Sequence, residues 1–315
     1  MKTLIFLFFS VVSARHVFVT LLSNDDYLPG VLTLVHSAIL MGNAGEVPFI
    51  VMCVRGAVSP KSMTVLEDYA KVYSHSQTVK TIWINDFDQP KIKCKSSVVS
   101  PSRFNMTLAK LGVFDTSNYS PVPDRVVYLD ADTMIANECV KDLFSSRLFL
   151  PPAFAHDILL PDTFNTGVML IDPAHDHFAA IKAFANSITP NGCTYAQMSY
   201  DGGDQGVLNS FFRHEWNGEN GQYEGWNAKH HLPFKYNALA QVSLLHPQEW
   251  DRIRPEICVI HFAGHVVKPF AKEVTAYMKK QANGSVLFKE QYSTWHVIYG
   301  DINIPSKPRV DLILQ

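Results

Sequence analysis

Six strand-length runs of largely apolar residues constrain this chain most. They cover residues 16–22, 49–54, 81–85, 125–129, 168–172 and 258–262. A strand with one wet face alternates apolar and polar residues. A continuous apolar run instead needs cover on both faces, as in a mainly parallel sheet between layers of helix. Helical periodicity fills the intervals. Residues 28–41 carry Val31, Leu34, Val35 and Ala38 at helix spacing, with Pro29 in the first turn, where proline is tolerated. Residues 61–73 carry Met63, Leu66, Tyr69, Ala70 and Tyr73. Residues 177–188 carry Ile181, Phe184 and Ala185, and residues 204–216 carry Val207, Leu208, Phe211 and Phe212. The alternation predicts an α/β fold with a mainly parallel sheet and helices on both faces. Residues 96–101 and 217–225 read as loops.

The 315 residues allow two domains of about 150 residues or one large α/β domain. A hydrophobic share of 47% against 18% charged residues excludes a disordered chain. Lys+Arg number 27 and Asp+Glu 29, so the net charge of -2 leaves no basic footprint, and no nucleic-acid partner is expected. One lysine precedes an apolar run over residues 4–12, and Val12-Ser13-Ala14 offers small residues for cleavage. This reads as a signal peptide over 1–14, too short for the roughly 20 apolar residues of a membrane span. The expected location is the secretory pathway (Golgi or ER lumen, or secreted), with the cytoplasm as alternative. Residues 15–270 form the main domain and 271–315 a less periodic C-terminal extension. Asn105, Asn118 and Asn283 head glycosylation triplets, of which Asn283, in a polar stretch, is the most plausible acceptor. Five cysteines leave at least one thiol unpaired within the chain, and without a CxxC pair a structural zinc site is not expected. Cys53 and Cys258, inside apolar runs, read as buried small hydrophobes. The cysteines alone do not decide the redox compartment.

The most informative stretch is Arg125-Val126-Val127-Tyr128-Leu129-Asp130-Ala131-Asp132-Thr133, an apolar strand that ends in two carboxylates. In an extended chain these point to one side and repel each other unless a cation sits between them. Open α/β sheets bind ligands at the carboxyl ends of their strands, where this pair falls. Two enzyme classes fit. One is a metal-dependent sugar transferase. The other is a phosphohydrolase of the haloacid-dehalogenase type, whose nucleophile motif Asp130-Ala131-Asp132-Thr133 also matches. Over a hundred residues precede the pair, and Leu208 stands where that class wants a second acid after Gly203-Asp204, so the phosphatase reading is the weaker one.

Further motifs follow in order. Phe164-Asn165-Thr166-Gly167-Val168-Met169 places an amide, a hydroxyl and a glycine before an apolar strand. Asp201-Gly202-Gly203-Asp204-Gln205-Gly206 opens a helix. His231-Leu232-Pro233-Phe234 precedes Tyr236-Asn237. Val259-Ile260-His261-Phe262-Ala263-Gly264 ends a strand in histidine, followed by Lys268-Pro269-Phe270. With Phe18-Val19-Thr20-Leu21, Asn24, Tyr27 and Leu108-Ala109-Lys110-Leu111, these motifs make residues 16–270 resemble glycosyltransferase family 8, the family of glycogenin and galactinol synthase.

The resemblance implies a Rossmann-like GT-A nucleotide-diphospho-sugar transferase fold, a UDP-sugar donor such as UDP-glucose, Mn2+ (or Mg2+), and retention of anomeric configuration. It assigns the metal to Asp130, Asp132 and His261. It places Leu21, Asn24 and Tyr27 at the uridine, and Lys268 and the backbone near Gly264 at the diphosphate. Lys110, Asp130, Ala131 and Thr166 line the donor, while Asn165, Asp201, Asp204 and Gln205 hold the transferred sugar. Lys110 and Asp204 are the candidate catalytic residues. Asp204 also reads as a helix N-cap. Same-face attack is favoured over a covalent intermediate, because no acid and base pair stands out.

The segment from Ala238 to His246 contains no tyrosine, unlike the self-glucosylated segment of glycogenin. Lys268 stands seven positions after His261, a spacing nearer the galactinol-synthase-like branch. The expected acceptor is therefore a glycan, glycolipid or polyol. Dimers are common among glycogenin-like proteins, so the resemblance allows a homodimer, and the sequence leaves the oligomeric state open. A non-catalytic UDP-sugar-binding protein is the alternative.

Overall fold

The computed structural model describes residues 16–76, 78–84, 107–158, 163–188, 203–217, 228–264, 268–270 and 289–310. The expected apolar runs form β1 (His16–Leu22), β2 (Phe49–Val54), β3 (Val79–Ile84) and β4 (Arg125–Leu129). Strand β3 begins two residues earlier than its apolar run suggests. These four strands are parallel in the order β3-β2-β1-β4. Beyond β4 lie β7 (Phe164–Ile171), β6 (Ala153–His156) and β8 (His231–Leu232), completing a seven-stranded sheet. Only β7 runs against its neighbours β4 and β6. A smaller sheet joins β5 (Thr133–Ile135), β10 (Val259–His261) and β9 (Ala238–Leu239), in that order.

Alternate residues of β1 feed two cores. Phe18 and Leu22 join Leu28, Val31, Leu34 and Leu66 on one face of the sheet. Val17, Val19 and Leu21 join Leu111, Ile181, Val207 and Phe212 on the other. That double burial is what a continuously apolar strand requires. The first face is covered by helices α1 (Leu28–Leu40) and α2 (Pro60–Val72). Helix α2 starts where Ser59 accepts the Ser62 N–H and Pro60 needs no donor partner. The second face is covered by the 3-10 helix Thr107–Phe114, α3 (Phe178–Ser187) and α4 (Asp204–Phe211). The single helix expected over 204–216 breaks at Phe212, and the separate turn Arg213–Asn217 follows. Phe212 and Trp216 are both buried.

The segment read as a C-terminal extension contributes the helix Lys289–Asp301, and its Tyr292, Trp295, Ile298 and Tyr299 pack in the same core as α1. His36, buried in α1, bridges Tyr69 Oη (3.0 Å) and Asp301 Oδ2 (3.0 Å), tying three helices together. No helix among the described residues is long and apolar enough to cross a membrane.

One expectation needs correction. Cys258 is not a free buried thiol; it forms a disulfide with Cys139 across 119 residues of sequence. The antiparallel pairing of β5 with β10 brings the two cysteines together. Cys53 is free and buried, and burial pushes its thiol up to about 12. Among the glycosylation triplets, Asn118 donates its amide to the Gly112 carbonyl (2.8 Å); Asn105 and Asn283 lie outside the described residues, as does the expected signal peptide.

Trp295 is 1% exposed and stacks on Tyr299 with ring centroids 5.1 Å apart. Trp295→Ala is expected to cost about 3–5 kcal/mol of folding stability, read from urea unfolding.

Candidate active site

The acidic pair does not converge through an extended backbone. After Leu129 the chain leaves β4 in a tight turn, closed by the Thr133 N–H on the Asp130 carbonyl (2.9 Å) and tied to β7 through the Asp130 N–H and Gly167 O (2.8 Å). The turn carries the chain from the large sheet into β5. Strand β10 pairs with β5 and ends at His261, which lies opposite Thr133. The topology thus delivers an imidazole from 129 residues downstream to the carboxylates. His261 Nε2 lies 3.4 Å from Asp132 Oδ1 and 4.0 Å from Asp130 Oδ2. One ligand atom from each of Asp130, Asp132 and His261 can be chosen so that all lie within 4.8 Å of one another.

Two glycines allow this close packing. A Cβ on Gly167 would overlap the His261 ring. A Cβ on Gly30, in the first turn of α1, would run into the Ala131 carbonyl and the Phe270 ring. Gly264 adopts φ +90, a left-handed conformation that favours glycine.

Two buried lysines balance the acids. Lys110 Nζ reaches Asp204 Oδ2 (2.8 Å), both oxygens of Asp130 (2.9 and 3.0 Å) and Thr166 Oγ1 (3.3 Å). Lys268 Nζ is hydrogen-bonded to Asp132 Oδ2 and lies 5.3 Å from the centroid of the Tyr27 ring. Burial pushes the Asp132 carboxyl up, but Lys268 and His261 outweigh it and hold the group well below the usual range. Burial also opposes ionisation of Asp204, yet Lys110 and the Thr166 hydroxyl (2.6 Å) keep its carboxyl low. The same contacts raise Lys110 and Lys268 against burial, so all four remain charged.

Asp204 is not an N-cap. Gly203 holds that position, and Asp204 is the first helical residue, with its side chain turned to Lys110 and Thr166. Asn165, Thr166 and Gly167 lie inside β7 rather than before it. Gln205 Oε1 accepts from Asn165 Nδ2 (3.1 Å). Leu21, at the end of β1, is buried; Asn24 caps the next turn by accepting the Asp26 N–H (3.0 Å); Tyr27 packs edge-on against Phe270. Asp201 lies outside the described residues.

The sequence reading missed three members of this network. Asp157, the residue after β6, accepts from Gln205 Nε2 (2.9 Å) and Asn165 Nδ2 (3.4 Å). Tyr128 donates to Asp130 Oδ1 (2.9 Å). Asn237 stands between Asn165 and His261. Asp157 carries no local signature. Tyr128 was visible two residues before Asp130, in the strand that leads to it.

A mainly parallel α/β sheet with paired carboxylates, an imidazole and two buried lysines at its strand ends has the architecture of a glycosyltransferase. The model of glycosyl transferase family 8 matches residues 18–149 and 151–273, and the chain belongs to that family. It is 28% identical to glycogenin-1 of Caenorhabditis elegans, over 89% of this chain and 54% of that protein. It is 29% identical to human glycogenin-2, over 86% of this chain and 45% of that protein. It thus spans about half the length of these curated relatives. In fold it is similar to the galactosyltransferase LgtC solved with donor and acceptor sugar analogues (TM-score 0.56, 17% identity, 88% of this chain and 95% of that one). It is also similar to the apo form of the glycosyltransferase GlyE of Streptococcus pneumoniae TIGR4 (TM-score 0.55, 17% identity, 92% and 63%). Family membership removes the haloacid-dehalogenase alternative.

Lys110→Met would leave Asp130 and Asp204 without their buried cation, a loss of about 3–5 kcal/mol at pH 7. In the wild type the low-held Asp204 stabilises the fold above the ordinary carboxylate pKa of about 4, and that contribution fades as pH falls through its folded value. Without Lys110, burial raises this carboxyl instead, so acid relieves the variant. The stability gap is expected to be smaller at pH 5 than at pH 7 in urea unfolding.

Proposed function

We propose that this protein is a metal-dependent, retaining hexosyltransferase that moves a hexose from a UDP-sugar to a glycan, glycolipid or polyol. The observation that carries the reading is the convergence of Asp130, Asp132 and His261, with Lys268 on the same carboxylate cluster. Two carboxylates and an imidazole form a mixed oxygen and nitrogen donor set suited to Mn2+. Mg2+ is the alternative ion. Bound there, a divalent ion supplies Lewis-acid stabilisation of charge on a leaving phosphate.

The chain's own residues account for the rest. Lys268 offers a buried positive charge where negative charge develops, and it is fixed before the reaction by Asp132. Leu21, Asn24 and Tyr27 stand at the carboxyl end of β1, where they can seat a uracil and ribose. The Lys110–Asp204 pair, with Thr166, Asn165 and Gln205, offers charged and amide groups to sugar hydroxyls. Asp204 Oδ2 is engaged by both Lys110 and Thr166, which lowers its nucleophilicity. This favours attack by the acceptor on the face the diphosphate leaves, with the departing phosphate taking the acceptor's proton.

The test is UDP release from several UDP-sugars with and without Mn2+. Asp132→Asn is expected to lower metal-dependent release by at least about 10² while the circular dichroism stays native. UDP binding by calorimetry without turnover on any donor would instead support the non-catalytic alternative.

We also propose passage through the secretory pathway. The apolar run over residues 4–12 and the Cys139–Cys258 disulfide support it, since such bridges persist in oxidising compartments. Protein recovered from the medium or the lumen is expected to begin near residue 15, with a Cys139–Cys258 linked peptide in non-reducing mass spectrometry. A full-length, fully reduced chain in the cytoplasm would overturn this location.

A further inference from the structure

Asn237 takes no part in the chemistry described so far, yet it is 1% exposed and joins two residues that do. The Gly167 N–H donates to Asn165 Oδ1 (2.9 Å). Asn237 Nδ2 donates to the same oxygen (2.9 Å), and Asn237 Oδ1 faces His261 Nδ1 (2.9 Å). Hydrogen-bond polarity leaves one solution. A backbone N–H can only donate, so Asn165 presents its oxygen to Gly167. That oxygen also faces Asn237, which must therefore offer its NH2. The carbonyl of Asn237 is then turned to His261, whose Nδ1 must carry hydrogen. The far end of the chain of bonds agrees. Asn165 Nδ2 and Gln205 Nε2 both point at Asp157, a carboxylate that accepts.

We infer that Asn237 is a positioning residue that holds the neutral form of His261 as its Nδ1–H tautomer and so turns a bare Nε2 lone pair toward Asp130 and Asp132. The ultimate reference for this choice is a main-chain amide of β7, which no side-chain rotation can reverse. Gly167, lacking a Cβ, leaves room for the imidazole beside β7. The inference rests on the metal reading above only for its consequence; the tautomer itself is a property of the metal-free chain.

Two measurements test it on the full chain. In metal-free protein at pH 9, above the ordinary imidazole range, 15N-histidine NMR is expected to show His261 protonated at Nδ1 and bare at Nε2. A proton on Nε2 overturns the inference. Calorimetric titration with Mn2+ is expected to show Asn237→Ala weakened about 10–100-fold, the range for loss of a ligand-orienting partner. Asn237→Asp keeps an oxygen facing Nδ1 and is expected to bind Mn2+ more tightly than Asn237→Ala. Unchanged affinity in Asn237→Ala, or equal loss in both variants, overturns the positioning role. A wild-type chain that binds no Mn2+ sinks the metal reading of the site and leaves the NMR result to decide the tautomer.

Discussion

Three aspartates, Asp130, Asp132 and Asp204, meet at the carboxyl end of the main sheet, and Asp132 and Asp204 are buried. Left alone, such a group would be expelled to solvent or take up protons. The lysines prevent this from two directions. Lys110 enters from the 3-10 helix on one face of the sheet. Lys268 approaches from the other side, beside Tyr27 and Phe270. The two faces of the fold are joined electrostatically at the point where its strands end, and most of what is distinctive about the chain follows from holding those five charges together.

The arrangement also explains the second, smaller sheet. Three strands of two or three residues bury little apolar area by themselves. Their value lies in geometry: β5 leaves directly from the acidic turn, and β10 returns alongside it to end at His261. The Cys139–Cys258 bridge closes the other end of this pair. A short sheet, covalently pinned at one end, thereby brings carboxylates and an imidazole together at the other.

Much of this was legible in the sequence because it is local. Strands β1, β2 and β4 coincide with their apolar runs, since cover on both faces demands apolar residues at every position. Asp130 and Asp132 stood out because charge interrupts such a run abruptly. His261 was legible only through motif order, as nothing in Val259-Ile260-His261 distinguishes a ligand from a core histidine. Asp157 and Asn237 were not identified as site residues, because partners that define their roles lie far along the chain: Gln205 is 48 residues from Asp157, and Asn165 is 72 residues from Asn237. The disulfide was missed for the same reason. Asp204 was misplaced as a cap because composition cannot say whether an acid at a helix start turns toward its own backbone or toward a lysine.

The helix Lys289–Asp301 lies well past the last family-matched residue, 273, yet Trp295 packs against Phe270, and Phe270 against both Gly30 and Tyr27. Lys268 therefore leans on a wall whose outer layer is supplied by residues that motif matching leaves out. An expression fragment trimmed to the matched boundary would keep Asp130, Asp132 and His261 and still lose the backing that holds the lysine over the acidic turn. For anyone dissecting this chain, the folded unit extends to at least Ile304, the last buried residue of that core.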